Sequence, residues 1–250
     1  MSLELRELLL SIGTSSSPAE LLTLLAHPDA QESHILALLR KRNLSALVLE
    51  TLSRHERWGT RHGVRAAVVS HPMTPRTVSM RLLGLLFWSE LLRVALNHRL
   101  APALRAAAER TLRDRLPELE LGERVTLGRL APLLLLRALL EEEEHPRVVA
   151  SILLNPRLPE ADVLALVASP DTPPETLRLI SESSRFGTRR AVELGLVKNR
   201  RTPVHVALRA LLGLPRSALS AVVSRMDLPP LLRLGAERRL SGERPGGEID

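Results

Sequence analysis

Eight basic side chains set out the chemistry this chain offers most clearly: Arg57, Arg61, Arg185, Arg189, Arg190, Lys198, Arg200 and Arg201. Arg57-Trp58-Gly59-Thr60-Arg61 recurs as Arg185-Phe186-Gly187-Thr188-Arg189. A guanidinium beside a helix start can hold a phosphate or carboxylate, because its fork of donors and the free N–H groups there face the same anion. In the same motif, Gly fits a turn, Thr fits a cap and the aromatic ring fits packing on the next helix. Of the 35 basic side chains only Lys41 and Lys198 are lysine. Arg is the residue suited to bidentate contact with phosphate or carboxylate, so these eight are the candidate contacts for an anion or a nucleic-acid backbone.

Other titratable groups read as structural. Glu109 lies four residues after Arg105, and Glu237 four after Arg233. That spacing predicts surface ion pairs on a helix, each worth about 0.3–0.5 kcal/mol. Glu141–Glu144, followed by His145-Pro146, reads as a solvated helix end. The eight His residues show no HExxH or related metal spacing, and the chain has no Cys. Thiolate chemistry, disulfides and iron–sulfur ligation are thereby excluded. No Walker loop, GxSxG elbow or dinucleotide fingerprint occurs. No catalytic, cofactor-binding or metal-binding residue is expected.

The Arg motif recurs because the chain repeats itself. Residues 57–112 align without a gap on residues 185–240 at an offset of 128, with 23 of 56 positions identical. Thr74/Thr202, Pro75/Pro203, Pro102/Pro230 and Glu109/Glu237 are among them, and upstream Pro18 meets Pro146 and Pro28 meets Pro156. The apolar residues are mostly Leu, Ala and Val, with no Tyr and only Trp58, Phe87, Trp88 and Phe186 as aromatics. Leu and Ala favour helices, whereas strands draw on aromatic and β-branched residues.

Pro and small polar residues recur before apolar-periodic segments and mark about sixteen short helices. They fall near 3–12, 18–26, 31–41, 44–53, 60–70, 75–86, 89–97, 102–115, 123–130, 132–143, 146–154, 160–168, 173–182, 188–198, 203–213 and 217–240, the last dividing at Pro229-Pro230. Ser17-Pro18-Ala19-Glu20 reads as a capping box. Thr74-Pro75, Thr172-Pro173 and Thr202-Pro203 read as a Thr cap with Pro at the first helical position, and Ser89 and Ser217 as caps without Pro.

Four segments lead into Leu-rich helices: His71-Pro72-Met73-Thr74-Pro75, Asn155-Pro156-Arg157-Leu158-Pro159, Ser169-Pro170-Asp171-Thr172-Pro173 and Asn199-Arg200-Arg201-Thr202-Pro203. This pattern resembles the leucine-rich repeat variant family and, more broadly, the HEAT-like α-solenoids. The resemblance implies a right-handed stack of short helices serving as a binding or scaffold surface. Some members carry an iron–sulfur domain, which a chain without Cys cannot hold.

The expected fold is therefore all-α: an α-solenoid of about sixteen short helices with a 128-residue internal duplication. One continuous stack would span 1–240, with copy one about 18–112 and copy two about 146–240, linked by helices in 113–145. Residues 241–250 read as a disordered polar tail. The N-terminus lacks the pattern of a secretory signal, and no 18-residue apolar run occurs, so a soluble cytoplasmic protein without a membrane partner is expected.

Charge is blocked along this plan. Residues 40–113 carry fourteen basic side chains against four acids, net +10, and residues 184–240 carry twelve against three, net +9. Residues 114–183 are net −6, with seven against thirteen. The leading expectation is a non-enzymatic scaffold binding a macromolecule, protein first, along one face. Backbone-directed DNA or RNA binding through the two Arg-rich blocks is the alternative. A HEAT-like DNA glycosylase is a further one, but it needs a carboxylate among aromatics, and no such set can be named. Solvated Arg side chains covering apolar surface account for the same blocks without any ligand.

Overall fold

The computed structural model describes residues 18–242, and with them sixteen α-helices and no strand. The expected helix at 3–12, Ser17 of the capping box and nearly all of the polar tail lie outside the described residues. The chain divides into two compact units at Glu118/Leu119. Among the described residues no helix is long and apolar enough to cross a membrane.

The first unit holds α1 (Pro18–Ala26), α2 (Glu32–Leu39), α3 (Ala46–Arg54), α4 (His62–Ser70), α5 (Arg76–Leu83), α6 (Trp88–Leu96) and α7 (Pro102–Asp114), then a 3-10 turn at Leu116–Glu118. Helices two places apart lie side by side: α1 with α3, α2 with α4, α4 with α6, and α5 with α7. Neighbours α3–α4, α4–α5 and α6–α7 pack across. The core between them is aliphatic, with Leu25, Ile35, Leu49, Leu52, Val64, Val68, Leu91 and Leu112 buried.

The second unit holds α8 (Leu121–Leu130), α9 (Leu133–Glu142), α10 (Pro146–Leu153), α11 (Glu160–Ala168), α12 (Pro174–Glu182), α13 (Arg190–Lys198), α14 (Val204–Leu211), α15 (Arg216–Val223) and α16 (Pro230–Ser241). The same neighbour rule holds. α8, α10, α12, α14 and α16 follow one another in contact, as do α11, α13 and α15. Leu127, Val148, Ile152, Leu177, Ile180, Val192, Leu196 and Val222 fill the core. Helices of eight to thirteen residues are too short to persist alone in water, so this burial holds them.

The helix starts keep the 128-residue offset. α1 to α7 begin at 18, 32, 46, 62, 76, 88 and 102, and α10 to α16 at 146, 160, 174, 190, 204, 216 and 230. Pro229 and Pro230 divide the expected last segment, with Pro230 opening α16 and Gly242 closing it in the left-handed region.

The expected caps are displaced. Pro75, Pro173 and Pro203 are themselves the N-cap residues, and each Thr stands one place earlier. The Thr74 hydroxyl donates to Val68 O at 2.6 Å, and Thr172 to Leu166 O at 2.6 Å, each closing the helix before it rather than opening the next. Thr202 is buried, and its hydroxyl has no hydrogen-bond partner among the described residues. Ser89 and Ser217 fall inside the first turns of α6 and α15, whose N-caps are Phe87 and Pro215. Glu90 instead accepts the Phe87 N–H at 2.9 Å. Thr60 donates to Glu56 O, and Arg61 is the N-cap of α4.

Gly59 and Gly187 are held by close backbone approach. A Cβ on Gly187 would stand 2.2 Å from Ser181 O and 2.8 Å from Ser183 O. On Gly59 it would stand 2.7 Å from Ser53 O and 2.8 Å from His55 O. Backbone atoms cannot swing aside as a side-chain end can. Gly187→Ala should therefore cost about 1–3 kcal/mol, and Gly59→Ala less, when both are compared by urea unfolding. Equal stability of Gly187→Ala and the parent would refute the tight turn.

Candidate functional site

Side chains from later turns bind carbonyls of turns about thirty residues earlier. Arg57 donates to His27 O at 3.3 Å and Ala30 O at 2.7 Å, and reaches Pro28 O at 3.5 Å. Arg185 does the same 128 residues on, donating to Asn155 O at 2.7 Å, Leu158 O at 2.9 Å and Pro156 O at 3.4 Å. Each guanidinium also lies over the aromatic ring that follows it, 4.4 Å from Trp58 and 4.7 Å from Phe186. Both rings are buried, and Trp58 Nε1 donates to Leu25 O at 2.9 Å.

His and Asn serve the same purpose. His71 Nε2 lies 2.7 Å from Lys41 O, while its Nδ1 accepts the Met73 N–H. Those partners put the proton on Nε2. Asn155 donates to Gly128 O and Ala131 O and accepts the Arg157 N–H. Asn199, 128 residues after His71, donates to Val167 O and Ser169 O and accepts the Arg201 N–H. These residues have a place in the turns that metal spacing could not reveal, and among the described residues no group of three or more His, Asp or Glu is arranged to hold a metal ion.

The eight candidate anion contacts thus fall into different settings. Arg57 and Arg185 clamp turns. Arg201 donates to Asp171 O at 2.8 Å, and Arg200 pairs with Asp227 at 3.2 Å. Asp227 also binds Arg225, and these two guanidinium groups hold its carboxyl well below the usual range. Arg189 reaches Arg185 O at 3.5 Å. Arg61, Arg190 and Lys198 are exposed, and their side chains have no hydrogen-bond partner among the described residues. Arg57 and Arg61 belong to the first unit and the other six to the second.

The expected pairs Arg105–Glu109 and Arg233–Glu237 do not close into salt bridges. Arg105 turns to His98 Nδ1 at 3.2 Å, and Arg233 to Met226 Sδ at 3.1 Å. Partial burial pushes the Glu109 carboxyl up, with Arg105 opposing from a distance. In the Glu141–Glu144 run, Glu143 pairs with Arg124 at 2.7 Å and accepts the His145 N–H. Glu141 and Glu144 are exposed, as a solvated helix end requires.

Two grooves open in the first unit. One, of about 370 Å³, runs beside the ends of α2 and α4 and is lined by Leu36, Leu39, Arg40, Arg42, Ala67 and His71 among others. The other, of about 220 Å³, lies by the end of α3, the turn before α4 and the end of α5. Arg54, Arg65 and Arg81 line it with Leu82 and Leu85, and Glu56 is its one carboxylate. Arg65 Nε donates to Gly59 O at 2.6 Å, and Arg81 to Ser53 Oγ at 2.8 Å. None of these Arg residues stood among the sequence candidates, four of which came from the shared Arg57–Arg61 and Arg185–Arg189 motifs.

Comparisons with protein-family models, with curated proteins and with solved structures found no match.

Proposed function

We propose that the chain is a non-enzymatic α-solenoid of the leucine-rich repeat variant or HEAT-like kind, built from a duplicated seven-helix unit, and that it binds a protein partner along one face. The contact order of the helices carries this reading: each packs mainly against those one and two places along, which in repeat stacks leaves a long outer surface free for a partner. The constant offset of helix starts and the paired Arg57 and Arg185 clamps support the duplication.

Nucleic-acid binding through the Arg-rich blocks is the weaker reading. Arg57, Arg185 and Arg201 direct donors at backbone carbonyls and Arg200 directs one at Asp227. Trp58 and Phe186 are buried where base stacking would need them exposed. Photo-crosslinking in the native host separates the two. Benzoylphenylalanine at exposed Leu47, Leu85, Leu212 or Leu231 should give adducts whose size nuclease does not change. Adducts that shrink with nuclease would favour nucleic acid, and no adduct at any of the four positions would overturn the scaffold reading.

A further inference from the structure

We propose that the smaller groove of the first unit docks an acidic peptide segment, with Arg65 and Arg81 taking its carboxylates and Leu85 and Phe87 its apolar side chains. The proposal rests on the scaffold reading and names the chemistry of the partner. At about 220 Å³ the groove has room for side chains rather than a folded element.

Its charge is unbalanced. Arg54 already pairs with Glu50 at 2.8 Å, which leaves Arg65 and Arg81 facing only Glu56. Each is steadied by one hydrogen bond, to Gly59 O and Ser53 Oγ, and the remaining donors of both have no acceptor among the described residues. A guanidinium held by one donor keeps its other N–H groups aimed, which lowers the ordering cost when a carboxylate arrives.

The rim is apolar and exposed. Leu85, which lines the groove, is 48% exposed, and Phe87, two residues on and outside the lining, is 54% exposed, the only exposed one of the four Phe and Trp side chains. Phe87 stacks on His62 with ring centroids 3.9 Å apart, two residues beyond Thr60 in the groove wall. Aromatic and Arg side chains together are what protein-binding hot spots favour. A phosphate backbone would make no use of the leucine.

The second unit supplies the decisive contrast. Its framework matches: Arg209 donates to Ser181 Oγ at 3.4 Å as Arg81 does to Ser53, and Ser181 and Ser53 each donate to a helix carbonyl at 2.7 Å. Apart from Arg81, kept as Arg209, the ligand-facing positions do not match. At the 128-residue offset Arg54 becomes Glu182, Arg65 becomes Glu193, Leu85 becomes Gly213 and Phe87 becomes Pro215. The Glu193 carboxylate lies against Gly213, where a Cβ would come within 2.1 Å of Oε1. The helices start at corresponding positions with either set, so the fold does not demand the cationic and apolar set of the first unit.

The test is fluorescence anisotropy with a labelled peptide repeating Asp-Glu-Leu-Leu three times, against the full chain at low salt. The parent should bind it, and Arg65→Glu, which copies the second unit, should weaken binding by about tenfold or more. Leu85→Gly with Phe87→Ala should weaken it as well, and the exposure of both side chains spares the core. Arg129→Glu, the same charge change at an exposed position of the second unit, should leave it within about twofold. Circular dichroism confirms that each variant is folded. Binding that survives Arg65→Glu, or that Arg129→Glu weakens equally, would overturn the groove while leaving the scaffold reading intact. Absence of peptide binding would overturn the groove, and if oligouridylate RNA bound instead, with loss in Arg65→Glu, the scaffold reading would fall with it.

Discussion

Trp58→Ala should destabilise the first unit by about 3–5 kcal/mol, whereas Trp58→Phe should cost only about 1 kcal/mol. The indole is 2% exposed, and its removal leaves a void among α-helical side chains that cannot fully close. It also strips the donor from Leu25 O and the ring from beneath the Arg57 guanidinium. Phe keeps the ring and most of the volume and loses the one hydrogen bond. The second unit already shows that arrangement, with Phe186 equally buried and Arg185 4.7 Å above it. Urea unfolding followed by circular dichroism measures both variants. Should Trp58→Phe prove as costly as Trp58→Ala, the two aromatic positions would not be interchangeable and the clamp would not be one repeated device.

Asn155→Asp, almost isosteric, should cost the second unit a comparable 3–5 kcal/mol, here about the penalty of an uncompensated buried charge. Asn155 is wholly buried. Its amide donates to Gly128 O at 3.0 Å and Ala131 O at 3.1 Å, and a carboxylate offers those carbonyls no hydrogen and adds repulsion. The Arg157 N–H, which the side-chain oxygen accepts at 2.9 Å, would still be served. Acidification should recover part of the loss, because a protonated Asp regains one donor. Asn199→Asp provides the scale: that side chain is half-buried, so water relieves part of the same conflict and the loss should be smaller. A parent-like unfolding midpoint for Asn155→Asp would show that its amide donors do not hold the turn.

The helices were legible because their signals are local. Apolar periodicity and Pro placement give fifteen of the described helices near their observed spans, and the Pro229-Pro230 step gives the sixteenth. Gly59 and Gly187 were legible as turn residues, since both copies keep them. Cap identity was not. Thr before Pro has the composition of a cap, but Pro75 and Pro203 take that position and leave Thr74 one residue outside, where Val68 O is its nearest use. Arg57 was legible as important and not as a clamp, because its acceptors lie 27 to 30 residues away. Arg105 and Glu109 have ion-pair spacing, yet His98 draws the guanidinium aside. The groove was missed for a different reason. Shared positions drew attention to Arg57 and Arg61, while Arg65 and Leu85 differ between the copies, and difference at a retained backbone position is the signal that would have found them.

The clamps also give the chain a direction. In those of Trp58, Arg57, His71, Asn155, Arg185 and Asn199, and in Arg115 donating to Leu86 O, the donor comes later in the chain than the carbonyl it serves. Arg216, donating to Leu240 O, runs the other way. On a ribosome, a newly made turn would therefore emerge with its carbonyls open to water and wait for the turn about thirty residues behind it. Each arrival would complete its predecessor, so the order of synthesis and the order of closure coincide. A stalled chain would be left incomplete only at its newest edge.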